Sequence, residues 1–216
     1  MSRPLLLGHR GARAVRSIRE NTLASFDRAL ADGCDGFEFD VRLTADGQAV
    51  VCHDPEVGSF EVAHTGAPQL PALPRLEHVL EHYDSAFLDV ELKVPGLERI
   101  VIAALRGPRN QRFVVSSFLH EVLLTMHAAD QTIPLGLICE TPAQLGRWEQ
   151  LPVGYVITHR RLTTRDLIGE IHATGKKVLV WTVNAVPEME RFAAWGVAGI
   201  ISDDTRLLRR FKKRWT

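Results

Sequence analysis

The stretch Lys177-Val178-Leu179-Val180-Trp181-Thr182-Val183, followed by a helical pattern over 187–194 and then by Ala198-Gly199-Ile200-Ile201-Ser202, decides the fold. Both flanking runs are short, apolar and rich in β-branched residues, and a helix-length segment separates them. Strand, helix and strand in that order are the unit of a parallel sheet. Working outward, the same alternation fills the chain. Strand-like runs occupy 4–8, 36–43, 49–52, 86–92, 112–116, 135–139, 154–158, 177–183 and 198–202. Helical patterns occupy 22–31, 76–82, 97–105, 121–129, 143–149, 164–173, 187–194 and 205–213. The run at 49–52 follows Asp46-Gly47, a hairpin turn signal, and reads as a β-ribbon extending the second strand. Eight strands remain, each followed by a helix. Eight such units predict an α/β protein of the (β/α)8 TIM-barrel type, one domain over residues 1–216. A doubly wound open sheet is the alternative, and the count of eight argues against it. The proline-rich stretch 56–74 reads as a loop or lid rather than a domain boundary.

Composition agrees. A chain of 216 residues with 45% hydrophobic and 24% charged residues is globular, which excludes disordered and fibrous classes. At this size roughly 70% of the unfolded surface is buried, so no disulfide or structural metal is needed. Lys plus Arg equals Asp plus Glu at 26 each, which argues against a dedicated nucleic-acid binder. The zero conceals an asymmetry. Arg206, Arg209, Arg210, Lys212, Lys213 and Arg214 crowd a terminal segment without an acid, so the body is acidic and the tail basic. Leu207, Leu208, Phe211 and Trp215 recur there at near-helical spacing, as on a last barrel helix with its cations outward. Such a helix could also touch an anionic lipid surface weakly. Cys34, Cys52 and Cys139 are odd in number and unpaired in spacing, so they read as buried thiols. The run Leu5-Leu6-Leu7 is too short for a signal peptide, and no apolar stretch approaches the ~20 residues of a membrane span. The expectation is a soluble, cytoplasmic protein.

Barrel logic says where chemistry belongs, namely at the C-terminal ends of the strands. Strand one ends in Gly8-His9-Arg10-Gly11, which places His9 and Arg10 at that face unless they are merely a surface pair on a turn. In Phe37-Glu38-Phe39-Asp40-Val41 alternation puts Glu38 and Asp40 on one face and the apolar residues on the other. In a barrel the carboxylates point inward, where a divalent cation neutralises them most simply. An edge strand with one wet face is the alternative. In Asp89-Val90-Glu91-Leu92-Lys93 the three charged residues share a face. Glu91 could be a third oxygen ligand, and Lys93 could meet a phosphate oxygen or pair with Asp89 or Glu91. The ribbon ends in His53-Asp54, across the same mouth from His9, and two histidines beside a metal suit acid–base work near neutral pH. Of the other seven histidines, His159 at the end of the strand over 154–158 is the one placed for the mouth.

These residues are embedded in longer motifs. His9-Arg10-Gly11, Glu20-Asn21-Thr22, Glu38, Asp40-Val41, Asp46-Gly47 and His53-Asp54 resemble the signature of the glycerophosphodiester phosphodiesterase family. Glu91-Leu92-Lys93, Ser117-Phe118, Trp181-Thr182-Val183-Asn184 and Gly199-Ile200-Ile201-Ser202-Asp203 extend the resemblance over nearly the whole chain. The resemblance implies a barrel phosphodiesterase using Mg²⁺ or Ca²⁺. In it Glu38, Asp40 and Glu91 correspond to metal ligands, His9 and His53 to the acid–base pair, and Arg10 and Lys93 to phosphate-binding cations. Trp181 corresponds to an aromatic wall of the pocket. The implied reaction hydrolyses a small glycerophosphodiester to glycerol 3-phosphate and an alcohol. A lysophospholipase D, a lyase releasing cyclic phosphate and an inactive barrel serving as a binding module are the alternatives.

Four features depart from the family pattern, one of them Asp204-Thr205 in place of the usual proline after Asp203. Arg19 stands where proline is usual before Glu-Asn-Thr, with Asn21 or Thr22 still able to cap the following helix. The insertion after His-Asp is shortened, which leaves the alcohol on the diester open. Asp89 adds a charge where a neutral residue is common, either to recruit a second cation or to pair with Lys93.

Overall fold

The computed structural model describes residues 3–106 and 112–215. Its strands and helices in chain order are β1 (Leu5–Gly8), α1 (Leu23–Ala31), β2 (Gly36–Leu43), β3 (Ala49–Val51), β4 (Glu56–Val57), β5 (Phe60–Glu61), α2 (Leu76–His82), β6 (Phe87–Leu92), α3 (Glu98–Leu105), β7 (Phe113–Ser117), α4 (His120–Ala129), β8 (Leu135–Cys139), α5 (Pro142–Leu145), β9 (Tyr155–His159), α6 (Arg165–Ala173), β10 (Lys177–Trp181), α7 (Val186–Ala194), β11 (Gly199–Ser202) and α8 (Thr205–Trp215). Eight strands run parallel in the order β1-β2-β6-β7-β8-β9-β10-β11. The sheet closes because β1 pairs with both β11 and β2, Leu7 standing opposite Ile201 on one side and Gly36 on the other. This is the (β/α)8 barrel that the alternation predicts, not an open sheet. β3 pairs antiparallel with β2 as the expected ribbon, Val41 opposite Val51. Residues 56–74 form the β4–β5 hairpin and two short 3₁₀ turns over it.

Alternation divides the apolar residues between two compartments. The larger core lies between sheet and helices. There Phe26 stacks on Phe37 with ring centroids 4.1 Å apart and planes 5° from parallel, and Tyr83 meets Phe37 edge-on at 4.9 Å. The smaller core fills the barrel lumen with one large side chain from each of seven strands: Leu7, Phe87, Val114, Ile138, Ile157, Leu179 and Ile201. β2 is the exception. Its lumen-facing positions are Gly36, Glu38 and Asp40, so the lumen next to β2 is charged rather than packed.

Two elements differ from the sequence-based expectation. The helix expected at 143–149 is one turn, α5, followed by a 3₁₀ turn at Trp148–Gln150. A capping box between Thr141 and Gln144 starts α5, and Gly146 ends it. The strand expected at 177–183 ends at Trp181, because Asn184 turns toward β11, where its Oδ1 accepts from Ser202 Oγ and from Asp203 N. On α8, Leu208 and Phe211 are buried as expected, and the side chain of Trp215 lies outside the described residues. Cations of the tail are engaged within the chain. Lys212 Nζ donates to Gly33 O at 2.8 Å, Arg214 pairs with Glu190 and Arg206 with Asp204. Cys34, Cys52 and Cys139 are free and buried. Among the described residues no helix is long and apolar enough to cross a membrane.

Candidate active site

Glu38 and Asp40 reach the lumen because the opposite face of β2 is committed elsewhere. Phe37 and Phe39 are fully buried against α1, and strand alternation then sends the two carboxylates inward. They remain 4% and 1% exposed. The parallel register sets Glu38 beside Asp89 and Asp40 beside Glu91, which places acidic side chains of two strands in adjacent layers. His9 and Arg10 lie on a tight turn beyond β1. Arg10 is in the left-handed region at φ 49°, and a Cβ at Gly8 would stand 2.3 Å from Gly11 O, so glycine is required there. Ser25 on α1 pins the turn, donating to Arg10 O at 3.0 Å and accepting from Ala12 N at 2.8 Å. Thr22 caps α1 by accepting from Ser25 N.

Seven of the eight expected residues line one cavity of about 290 Å³: His9, Arg10, Glu38, His53, Glu91, Lys93 and Trp181. The eighth, Asp40, is buried against them. Lys93 Nζ donates to Glu91 Oε1 at 2.6 Å and stands 3.4 Å from Asp40 Oδ1, while Arg10 Nε stands 3.3 Å from Asp40 Oδ2. One carboxylate oxygen from each of Glu38, Asp40 and Glu91 lies within 4.8 Å of the others. Glu38 Oε1 and Asp40 Oδ1 are buried without a hydrogen-bond partner. Three converging carboxylates with such orphaned oxygens are a donor set that fits a hard divalent cation.

The electrostatics follow from burial. Burial pushes the Glu38 carboxyl well up, helped by Asp40, and pushes Glu91 up to about 7. Asp40 goes the other way. Against the same burial, Lys93 and Arg10 hold it below the usual carboxylate range. Burial pushes His53 below the ordinary histidine value, against the pull of its bond to Asp54. Asp89 does not pair with Lys93. Its Oδ1 accepts from Ser116 Oγ at 2.6 Å and its Oδ2 is orphaned, so burial pushes it up to about 7.

Both histidines are oriented by an aspartate. His9 Nδ1 lies 2.6 Å from Asp203 Oδ1 and His53 Nδ1 lies 2.7 Å from Asp54 Oδ1, which leaves Nε2 of each ring for other work. His9 Nε2 stands 3.8 Å from Glu38 Oε2. Asp203 is held in turn by Asn184 Nδ2 at 2.7 Å and by Arg13. Against burial, the bond to His9 pulls its carboxyl far below the usual range. Asn21 is a further support: at φ 56° its amide donates to Asp40 Oδ2 at 2.8 Å and its carbonyl accepts from Asp40 N. Glu20 clamps Arg10 and Arg13. Sequence reasoning gave none of Asp203, Asn184, Glu20 or Arg13 a role and offered Asn21 only as an alternative helix cap, a place that Thr22 takes. Asn21, Asn184 and Asp203 do stand within the motifs quoted above, and Asp203 directly follows a barrel strand, which was the available signal.

The rest of the lining is different in kind: Trp181, Phe118, Ile138 and Ile157, with the carboxylate of Glu140. Lys93 Nζ lies 5.7 Å from the Phe118 ring centroid, and the rings of Trp181 and His9 are 6.3 Å apart. Trp181 meets Phe118 edge-on at 5.9 Å and His159 edge-on at 5.4 Å. His159 backs Trp181 and is not among the lining residues. Burial pushes its imidazole below the ordinary value, against the pull of Glu140.

The family model described as "Glycerophosphoryl diester phosphodiesterase family" matches residues 9–65 and 80–207. The chain belongs to the glycerophosphoryl diester phosphodiesterase family. It is therefore a phosphoric diester hydrolase, and the gap in the match, residues 66–79, covers the end of the proline-rich stretch and the first half of α2. A glycerophosphodiester phosphodiesterase of Caldanaerobacter subterraneus is 30% identical, the alignment covering 94% of this chain and 96% of the relative. One from Bacillus altitudinis is 27% identical over 92% of this chain and 94% of its own. Among solved structures, a phosphodiesterase of Oleispira antarctica in complex with the product sn-glycerol-3-phosphate superposes with a TM-score of 0.83 at 26% identity, over 98% of this chain and 96% of that one. The glycerophosphodiester phosphodiesterase of Thermotoga maritima shares the fold, with a TM-score of 0.83 at 22% identity over 97% and 99% of the two chains.

Proposed function

We propose that the protein hydrolyses small glycerophosphodiesters to sn-glycerol 3-phosphate and an alcohol, with Glu38, Asp40 and Glu91 holding a divalent cation, Mg²⁺ or Ca²⁺. The observation that carries this reading is the convergence of three buried carboxylates, two of them with orphaned oxygens, beside two aspartate-bound histidines and two cations. The bound ion supplies Lewis-acid polarisation of a phosphoryl oxygen. Arg10 and Lys93 reach the same cavity and offset the charge that builds on the equatorial oxygens. His53, kept neutral by burial, takes the proton from the attacking hydroxyl at Nε2. His9 gives a proton from its own Nε2 to the departing alcohol oxygen, and Asp203 steadies the ring as it changes charge. When the attacker is a hydroxyl of the glycerol itself, the P–O bond to the alcohol breaks as the ring closes, leaving a cyclic phosphate. Water then opens that ring with the two histidines in exchanged roles.

A cavity of about 290 Å³ lies at the lower end of the size range of ligand sites, which favours a deacylated diester over the acyl-bearing substrate of a lysophospholipase D. Residues 1–216 act as one domain in this reading, since β1 and β11 close the same barrel. A cytoplasmic location is supported by three cysteines left free. A metal-by-substrate activity matrix with phosphorus NMR tests the proposal. Glycerol 3-phosphate from wild type in Mg²⁺ or Ca²⁺, and none from Glu38→Ala, is the expected result. Unchanged turnover by Glu38→Ala with metal in excess overturns the metal site, and a persistent cyclic phosphate redefines the enzyme as a lyase.

A further inference from the structure

Asp89 stands apart from the other acids of the cavity. It is 1% exposed, it lies opposite Glu38 in the β2–β6 register, and it lines the same cavity as Glu38 and Glu91. Yet it is not one of the three carboxylates whose oxygens converge within 4.8 Å. Ser116 Oγ on β7 donates to its Oδ1 at 2.6 Å, and its Oδ2 is buried without a partner. No ion pair of Asp89 is found among the described residues. Lys93 Nζ is committed to Glu91 and Asp40, and Arg10 to Asp40 and Glu20.

The fold gains nothing from that oxygen. A buried carboxylate with an unpaired oxygen, set beside a second carboxylate, lowers stability through lost hydration and like-charge repulsion. The neutral residue common at this place in the family avoids both penalties. A destabilising group on a cavity wall points to something that enters the cavity. A carboxylate oxygen only accepts, so it takes a donor or a cation, whereas the phosphoryl oxygens of a diester are acceptors themselves. A hard divalent ion keeps water in the coordination positions that protein oxygens leave open, and that water donates. Carboxylates that hold the groups around an ion raise its affinity without touching it. We propose that Asp89 is a positioning residue for the cation: a fourth carboxylate whose Oδ2 accepts from water carried by the ion that Glu38, Asp40 and Glu91 hold, and so tightens its binding. This deepens the metal-site reading above and rests on it.

Isothermal titration of the chelator-treated full chain with Ca²⁺ and with Mg²⁺, in wild type and in Asp89→Asn, reads the effect without turnover. Asparagine has the same shape, keeps an oxygen for Ser116 and has an amide to donate toward Glu38. One ion per chain is expected in both proteins, with Kd about 10–100-fold higher in Asp89→Asn. The metal-free variant is expected to melt at least about 2 °C above metal-free wild type, because the unpaired buried charge is gone. Weaker ion binding by a more stable protein is a combination that loss of a structural contact does not produce. A Kd within about twofold of wild type overturns the inference, and a raised KM for the diester in that case assigns Asp89 to the substrate. A second ion bound by wild type and lost in the variant also overturns it, since Asp89 is then a ligand. A variant that melts below wild type, or does not fold, overturns it by making Asp89 structural. Wild type that binds neither ion overturns the metal site itself.

Discussion

His9 and His53 are the residues whose behaviour depends most on their neighbours. Asp203 holds His9 through Nδ1 at 2.6 Å without lining the cavity, so it acts by positioning. Asp203→Asn is expected to lower kcat about 10²–10⁴-fold with little change in KM, the scale of a lost general acid. Steady-state kinetics check this, and activity within about threefold of wild type removes Asp203 from the proton path. His53 is read as the base. Its pKa lies below the ordinary histidine value of 6.5 because burial disfavours the imidazolium, so its neutral form persists as pH falls through that value. At saturating metal the acid limb of the kcat/KM profile is expected to have its midpoint below 6.5, and a midpoint above it contradicts the assignment. Seven of the eight candidate residues were legible in the sequence because each sits at a strand end or on a strand face that alternation assigns, whereas Trp181 was indicated only by the family resemblance. Asp203 and Asn21 were less legible as partners. Each lies far along the chain from the residue it supports, and only the closed barrel brings Asp203 to His9.

At the scale of elements, the pair β2–β6 carries the site. Asp40 and Glu91 are register partners, and Gly36 at the start of β2 faces Phe87. A Cβ at Gly36 would stand 1.8 Å from Phe87 O, so alanine there must push the two strands apart. Gly36→Ala is expected to destabilise the fold by at least the ~1–3 kcal/mol typical of overpacking and to weaken metal binding as well, because the ligands ride on the same strands. Urea denaturation and metal titration measure the two effects, and a normal midpoint with normal affinity contradicts the register argument. Strand boundaries were readable to within a residue or two, since buried strands are compact apolar runs set off by polar turns. The helix after β8 was not. A capping box and a glycine end it after one turn, and apolar spacing continues beyond that point into a 3₁₀ turn, so periodicity alone overstates its length.

For the molecule as a whole, the acidic lumen couples metal binding to folding and to pH. Glu91 is pushed up to about 7 from the ordinary 4.5, first by burial and then by Asp40. The sign is fixed by linkage: the neutral carboxyl stabilises the metal-free fold below the unfolded value, and that stabilisation is lost as pH rises through about 7. A cation binds the ionised form and displaces the proton, so the Tm increase on adding Ca²⁺ or Mg²⁺ should be larger at pH 8 than at pH 5.5. Thermal melts with and without chelator check this, and an increment independent of pH contradicts a carboxylate cage. Local patterns in the chain specify the barrel, the inward carboxylates and the acid–base and metal-binding candidates, because strand periodicity and strand ends are properties of neighbouring residues. Barrel closure settles which oxygens are left unpartnered, which aspartate orients which histidine, and that Glu140 lines the same cavity as His9 and Lys93. Those relations join residues far apart in the chain, and barrel closure, rather than any local pattern, sets the distances between them.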